Sequence, residues 1–205
     1  MSNNIRNEVD MMRVIAGELK GRRLEAVPGK QTRPTSDKVK EATFQMMGPF
    51  FNGGRCLDLF AGSGSLGIEA ISRGMDYAVF IDKQSKAIHT IYKNIKTMKI
   101  EEQTEVARMD AFRALKVTQK NKAKFDLIMI DPPYDKLDYT DILNEIMKRE
   151  LLNDGGLIYC EHGTTEDLPS NLEELQVIKQ MNYGQTTGIT IYLNGIHKST
   201  VFAGE

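Results

Sequence analysis

The 205-residue sequence predicts an α/β protein built on one mostly parallel sheet with helices on both faces. From residue 55 onward, strand-like and helix-like segments alternate, as in repeated βαβ units. The composition, with 40% hydrophobic and 27% charged residues, is that of an ordinary globular chain. No apolar run approaches the ~20 residues that cross a bilayer, and the N-terminus lacks the apolar core of a secretory signal. We therefore expect a cytoplasmic protein.

The alternation predicts seven strands. Five belong to the parallel part, at residues 55–60, 77–82, 104–110, 125–131 and 155–162, and helices at 65–74, 85–99, 111–121 and 139–151 follow the first four. Segments 175–184 and 187–194 predict a C-terminal antiparallel hairpin.

A different pattern precedes the alternation. Segments 12–17 and 21–27 predict a short hairpin, and Thr35 and Ser36 are suitable N-caps for a helix at 37–47. Glycines and a proline between residues 48 and 54 then mark a break. We expect an N-terminal extension, residues 1–48, followed by one domain, residues 49–205.

The extension is basic. Between Arg13 and Lys40 the net charge is +5, in a chain whose total is −1. Such asymmetry favours a polyanionic partner such as nucleic acid, although a solvated surface segment has the same composition.

The first strand of the alternation runs into "DLFAGSGSLG", in which Gly62, Gly64 and Gly67 form a GxGxxG pattern, and Asp82 ends the next strand. Glycines let a strand-to-helix turn approach a ligand closely, and a carboxylate at the second strand tip can accept from ribose hydroxyls. The pattern alone is compatible with NAD, with S-adenosylmethionine, or with tight helix packing.

Acidic residues at the strand ends favour S-adenosylmethionine. Asp58 lies within the first strand, where it would repel a pyrophosphate but attract a cationic amino-acid group. Asp110 ends the third strand and can accept from an adenine amino group or cap the next helix. Ligands of open α/β sheets bind beyond the carboxyl ends of the strands, so Asp58, Asp82, Asp110 and Asp131 should converge. Neither cysteine has metal-ligand spacing, and we expect no metal.

The fourth strand ends in "DPPY", Asp131 to Tyr134. Together with "RVIAGELKGRRL", "RPTSDKVKEATF" and "DLFAGSGSLGIEA", in this order, it resembles the bacterial RsmD-type family, the small-subunit (16S) ribosomal RNA guanine-N2 methyltransferases. The resemblance implies a Rossmann-like class I methyltransferase fold, S-adenosylmethionine as methyl donor, a ribosomal RNA or small-subunit particle as partner, and a monomer.

The resemblance also implies roles for individual residues. Those implied to bind the cofactor are Asp58, Phe60, Ala61, Gly62, Ser63, Gly64, Asp82, Lys83, Asp110 and Ala111. Those implied to bind RNA are Arg13, Lys20, Arg22, Arg23, Arg33, Thr35 and Lys38. The implied catalytic residues are Asp131, Pro132, Pro133 and Tyr134, which hold the target base.

Three other classes share parts of the pattern. An adenine-N6 methyltransferase acting on DNA or RNA uses the same DPPY chemistry. An NAD-dependent oxidoreductase shares GxGxxG but has no use for DPPY. An RNA chaperone that binds the cofactor without catalysis would keep the basic extension, and only an activity assay separates it from an enzyme.

Overall fold

The computed structural model describes residues 12–29, 37–133, 137–172 and 174–195, and it confirms the α/β prediction. The helices are α1 (Asp37–Met47), α2 (Ser65–Ser72), α3 (Ser85–Met98), α4 (Ala111–Lys120) and α5 (Tyr139–Lys148), with a 3₁₀ turn at Glu101–Gln103. The strands are β1 (Arg55–Asp58), β2 (Tyr77–Asp82), β3 (Thr104–Arg108), β4 (Phe125–Ile130), β5 (Leu152–Gly163), β6 (Asn171–Leu172), β7 (Leu175–Tyr183) and β8 (Thr187–Asn194).

All strands belong to one sheet of order β3-β2-β1-β4-β5-β8-β7-β6. The first five are mutually parallel, and β8 pairs antiparallel with both β5 and β7. The seven predicted strands are therefore present in a mixed sheet. The two-residue edge strand β6, which pairs only with the start of β7, was not predicted because so short a segment carries no periodicity.

Side chains that alternate along the strands build one core on each face of the sheet. Phe80 and Met129 face α1, α2 and α3, whereas Ile81 and Ile130 face α4 and α5. Cys56 and Cys160 are buried free thiols. Within the described part of the chain, no helix is both long and apolar enough to span a membrane.

The N-terminal segment packs onto the domain instead of extending from it. The predicted hairpin is reduced to one antiparallel bridge, between Arg13 and Arg23, because its side chains join the α2 and α3 core. Val14 and Leu24 are almost fully buried there. The predicted N-caps of α1, Thr35 and Ser36, lie outside the described residues.

Gly17 fixes the distance between this segment and α2. Its φ is 81°, and a Cβ at this position would lie 1.7 Å from the Ser72 carbonyl oxygen. The same carbonyl accepts a hydrogen bond from Glu18 N–H at 2.8 Å, and Ser72 Oγ accepts one from Leu19 N–H at 3.0 Å. Only glycine allows so close an approach of backbone to helix.

A buried ionic network, formed by Glu69, Arg73 and Lys40, joins the segment, α1 and α2. The Glu69 carboxylate accepts from the N–H groups of Ile15 (2.8 Å) and Ala16 (3.0 Å) and from Arg73 Nε (2.8 Å). Lys40 Nζ lies 3.4 Å from the same carboxylate. The side chains of Glu69 and Arg73 are fully buried, so each charge depends on the others for its solvation.

Glu69→Ala is expected to lower the free energy of unfolding by about 3 to 5 kcal/mol, because it removes the buried carboxylate between Lys40 and Arg73 and leaves Arg73 with Glu41 as its acidic partner. The matched control is Glu25→Ala, which breaks the exposed pair with Lys93 and should cost less than about 1 kcal/mol. Urea denaturation of both variants measures the difference. Equal small losses would show that the network does not hold the segment in place.

Candidate active site

The four predicted acidic residues lie at the carboxyl ends of neighbouring strands. Asp58 and Asp82 are the last residues of β1 and β2, Asp131 directly follows β4, and Asp110 comes two residues after β3. The parallel registers pair Asp58 with Phe80 and Met129, so these ends lie nearly level. The acids are thus brought to one edge of the sheet.

A crevice opens at this edge between the loops that follow β1, β2, β3 and β4. Eight of the predicted site residues line it, namely Phe60, Asp82, Lys83, Asp110, Ala111, Asp131, Pro132 and Pro133. Leu59, Gln84, Met109, Phe112 and Leu137 complete its wall. Asp58, Ala61, Gly62, Ser63 and Gly64 are not among the described residues that line it, and Tyr134 lies outside the described residues.

The glycine-rich loop after β1 combines an open turn with a tightly packed helix. Gly62 and Gly64 have φ values of 54° and 82°. A Cβ at Gly62 would meet nothing nearer than the Phe60 carbonyl at 3.9 Å, whereas one at Gly67 would lie 2.3 Å from the Phe80 ring. The third glycine therefore serves helix packing, and the first leaves open space for a ligand.

Asp82 holds this loop from β2. Its Oδ2 accepts from Gly62 N–H at 3.0 Å, and its Oδ1 accepts from Gln84 N–H at 2.8 Å. Each carboxylate oxygen has two lone pairs, so both retain capacity to accept from a ligand hydroxyl. Asp82 is therefore a loop-positioning residue as well as a wall of the crevice.

Asp58 is a buried carboxylate without an obvious partner. Its exposed fraction is 1%, and neither oxygen has a hydrogen bond of normal geometry to the described residues. Burial raises its pKa to about 7, although the N–H groups of Phe60 and Gly67 are near enough to favour the charged form. An orphaned carboxylate next to a glycine loop fits a cationic ligand group, since native proteins rarely leave buried polar atoms unpaired.

Asp110 combines a helix cap with a position on the wall of the crevice. It is the N-cap of α4, where its Oδ1 accepts from Phe112 N–H at 3.0 Å, and it also lines the crevice. The capping bond fixes the carboxylate at the crevice wall, so the helix cap and a ligand contact are compatible.

Asp131 and the two prolines form the opposite wall. Asp131 is half-buried, and its charge contributes to raising the pKa of the Tyr139 and Tyr159 phenols, after the larger effect of burial. Because proline fixes φ, Pro132 and Pro133 restrict the backbone of this turn to a narrow geometry. Neither residue has an N–H group that could donate to the carbonyls of the turn.

The predicted RNA-binding residues have different surroundings. Lys20, Arg23 and Lys38 are exposed. Arg13 is exposed but pairs with Asp37 at 2.8 Å. The Arg22 guanidinium donates to the carbonyls of Met98 (2.9 Å) and Thr97 (3.1 Å), so it caps the C-terminal end of α3. Arg33 and Thr35 lie outside the described residues.

Two buried polar groups on β5, the strand next to β4, were not predicted from sequence: Tyr159 and Glu161. The Tyr159 hydroxyl donates to Glu161 Oε2 at 2.8 Å, and both side chains are buried. The alternation in "LIYCEH" puts the two residues on one face of a strand, which is the only sign of them in the sequence.

Comparisons with known proteins agree with this geometry. Residues 12–192 match the model of the family described as "Conserved hypothetical protein 95". "Putative rRNA methyltransferase YlbH" of Bacillus subtilis is 46% identical over 181 residues, covering 88% of this chain and 98% of that protein. "Ribosomal RNA small subunit methyltransferase D" of Haemophilus influenzae is 35% identical, covering 92% and 94% respectively.

A solved structure from Escherichia coli, described as "Putative methyltransferase yhhF", superimposes with a TM-score of 0.79 at 30% identity and covers 90% of this chain and 98% of its own. It shares the Rossmann-like class I methyltransferase fold found here. The family match, the coverage of the relatives and the order of the four motifs agree. The chain therefore belongs to this family, the RsmD-type ribosomal RNA methyltransferases.

Proposed function

We propose that the protein transfers a methyl group from S-adenosylmethionine to the exocyclic N2 amino group of a guanosine in small-subunit ribosomal RNA. The proposal depends on one observation, the buried carboxylate of Asp58, which has no hydrogen bond of normal geometry to the described residues. It lies at the same edge of the sheet as the crevice that Asp131 lines. The small-subunit RNA as substrate is supported by the name of the Haemophilus influenzae relative.

The cofactor would be held by side chains from three strand ends. Asp58 would face the ammonium group of the methionine moiety. The open space at Gly62 would let this moiety come close to the backbone of the loop. Asp82 would accept from ribose hydroxyls, and Asp110 from the adenine amino group. When bound, the cofactor supplies a methyl group on a positively charged sulfur.

The turn after β4 would hold the target base. The lone pair of a guanine amino group is delocalised into the ring, so acceptors that bind its protons make the nitrogen a better nucleophile. Asp131 Oδ and the Pro132 carbonyl would each accept one amino proton, and the prolines would keep these acceptors rigid. Tyr134 would stack on the extruded base. No general base is needed before attack, since the proton leaves the nitrogen afterwards.

The exposed cations Lys20, Arg23 and Lys38 would contact RNA phosphates. Arg22 would act indirectly, by holding the N-terminal segment against α3. The same DPPY chemistry suits an adenine-N6 methyltransferase; the names of the relatives favour ribosomal RNA over DNA as the substrate, and the identity of the methylated nucleoside separates guanine N2 from adenine N6.

Asp58→Asn tests the cofactor site through stability. The folded-state pKa of Asp58 is raised from 3.8 to about 7, so wild type without cofactor should lose stability as pH rises through this interval. The asparagine variant lacks this loss. We expect its free energy of unfolding, relative to wild type, to rise by at least about 1 kcal/mol between pH 4 and pH 8.

The same variant should bind S-adenosylhomocysteine at least about tenfold more weakly, because a charge-assisted contact is lost. Urea denaturation at several pH values and titration calorimetry measure the two effects. If the stability of wild type and of Asp58→Asn changed equally with pH, and both bound S-adenosylhomocysteine equally well, the role of Asp58 in cofactor binding would be refuted.

Asp131→Ala tests the chemistry. We expect kcat for methyl transfer to ribosomal RNA to fall on the order of a hundredfold, with cofactor affinity nearly intact, because the lost acceptor acts on the target amine. Asp141→Ala removes an exposed aspartate from the first turn of α5 and should retain wild-type kcat. Full activity of Asp131→Ala would refute the proposed mechanism.

A further inference from the structure

The register of the sheet places a second carboxylate beside Asp131. Strands β4 and β5 are parallel neighbours, with Met129 opposite Tyr159 and Ile130 opposite Cys160. The next residues along the two strands are Asp131 and Glu161. Glu161 lies within β5, whereas Asp131 begins the turn that forms a wall of the crevice.

Glu161 is buried and held firmly. Its exposed fraction is 7%, and its Oε2 accepts from the Tyr159 hydroxyl at 2.8 Å. Its backbone carbonyl accepts from the Tyr139 hydroxyl, which ties α5 to the same point. These contacts fix the carboxylate at the carboxyl edge of β5.

Both carboxylates act on the same two phenols. Burial raises the pKa of Tyr159 and of Tyr139, and the charges of Glu161 and Asp131 raise each further. The two carboxylates therefore lie within electrostatic range of the same two phenols. The phenols stay protonated, so Tyr159 remains a hydrogen-bond donor to Glu161.

Anchoring Tyr159 does not by itself require a charge at position 161. A buried carboxylate costs more desolvation free energy than a neutral acceptor, and a glutamine oxygen would accept the same hydrogen bond. The methyl transfer of the proposed function, on which this inference rests, develops a positive charge that a carboxylate next to Asp131 is suited to stabilise.

In that step the nitrogen lone pair forms a bond to the methyl carbon while the carbon–sulfur bond breaks and its electron pair passes to sulfur. The positive charge moves from sulfur to nitrogen, and one N–H proton then leaves to water. We propose that Glu161 supplies a second negative charge that stabilises the positive charge developing on the target amine, with Tyr159 holding its carboxylate in position.

Glu161→Gln tests this proposal because it keeps the shape and the hydrogen bond but removes the charge. At saturating RNA and S-adenosylmethionine, kcat should fall at least about tenfold, while the dissociation constants for both change by less than about twofold. Glu161→Asp retains the charge and should restore most of kcat. Asp167→Asn, which removes an exposed charge from the segment after β5, is the matched control and should behave like wild type.

Wild-type kcat in Glu161→Gln, with Asp131→Ala impaired, would overturn the role of Glu161 and leave the proposed function standing. Wild-type kcat in both would overturn the proposed mechanism as well. If Glu161→Gln does not fold, Tyr159→Phe decides, because it removes the hydrogen bond that the Tyr159 hydroxyl donates to the carboxylate. It should lower kcat severalfold at unchanged affinities, and an unchanged kcat would overturn the proposal.

Discussion

Parallel pairing of β1, β2, β3 and β4 is the constraint on which the site depends. Parallel strands share a direction, so all four carboxyl ends must lie at one edge, and whatever follows them in sequence meets there. Four aspartates separated by up to 73 positions in the chain thereby become neighbours of one crevice. The cost is visible at Asp58, whose buried carboxylate has no hydrogen bond of normal geometry to the described residues. Such a residue destabilises the protein unless a cationic ligand group is bound near it.

The ionic network around Glu69 adds a second constraint. It fastens the N-terminal segment and α1 to α2, the helix that begins at the glycine-rich loop. Lys40 Nζ also donates to Ser65 Oγ at 3.0 Å, at the first residue of that helix. The segment proposed to contact RNA is therefore packed against the element proposed to hold the cofactor. The division into an extension, residues 1–48, and a domain, residues 49–205, remains a proposal about roles, because the two parts share one core.

The parallel strands, their helices and the convergence of the acidic strand ends could be predicted from sequence, because the βαβ alternation is a local pattern. The environments of the charged residues in the N-terminal segment could not be predicted from local patterns. Lys40 belongs to the same basic run as Lys38, yet one is buried against Glu69 and the other is exposed. Arg22, predicted to bind RNA, donates to the carbonyls at the end of α3, a contact that no local pattern indicates. These outcomes depend on residues more than 25 positions away, so no window of sequence contains them. Glu161 was not singled out for the same reason, since its position next to Asp131 depends on the pairing of β5 with β4.

We propose that the residues at this edge of the sheet bind S-adenosylmethionine and a guanine and methylate the exocyclic amine of the base. The most direct test uses small-subunit ribosomal RNA and small-subunit particles from a strain that lacks the gene, incubated with the protein and S-adenosylmethionine. The RNA is then digested to nucleosides and analysed by mass spectrometry. The account predicts that N2-methylguanosine appears with wild-type protein and not with Asp131→Ala. Recovery of N6-methyladenosine, or of no methylated nucleoside from either substrate, would contradict it.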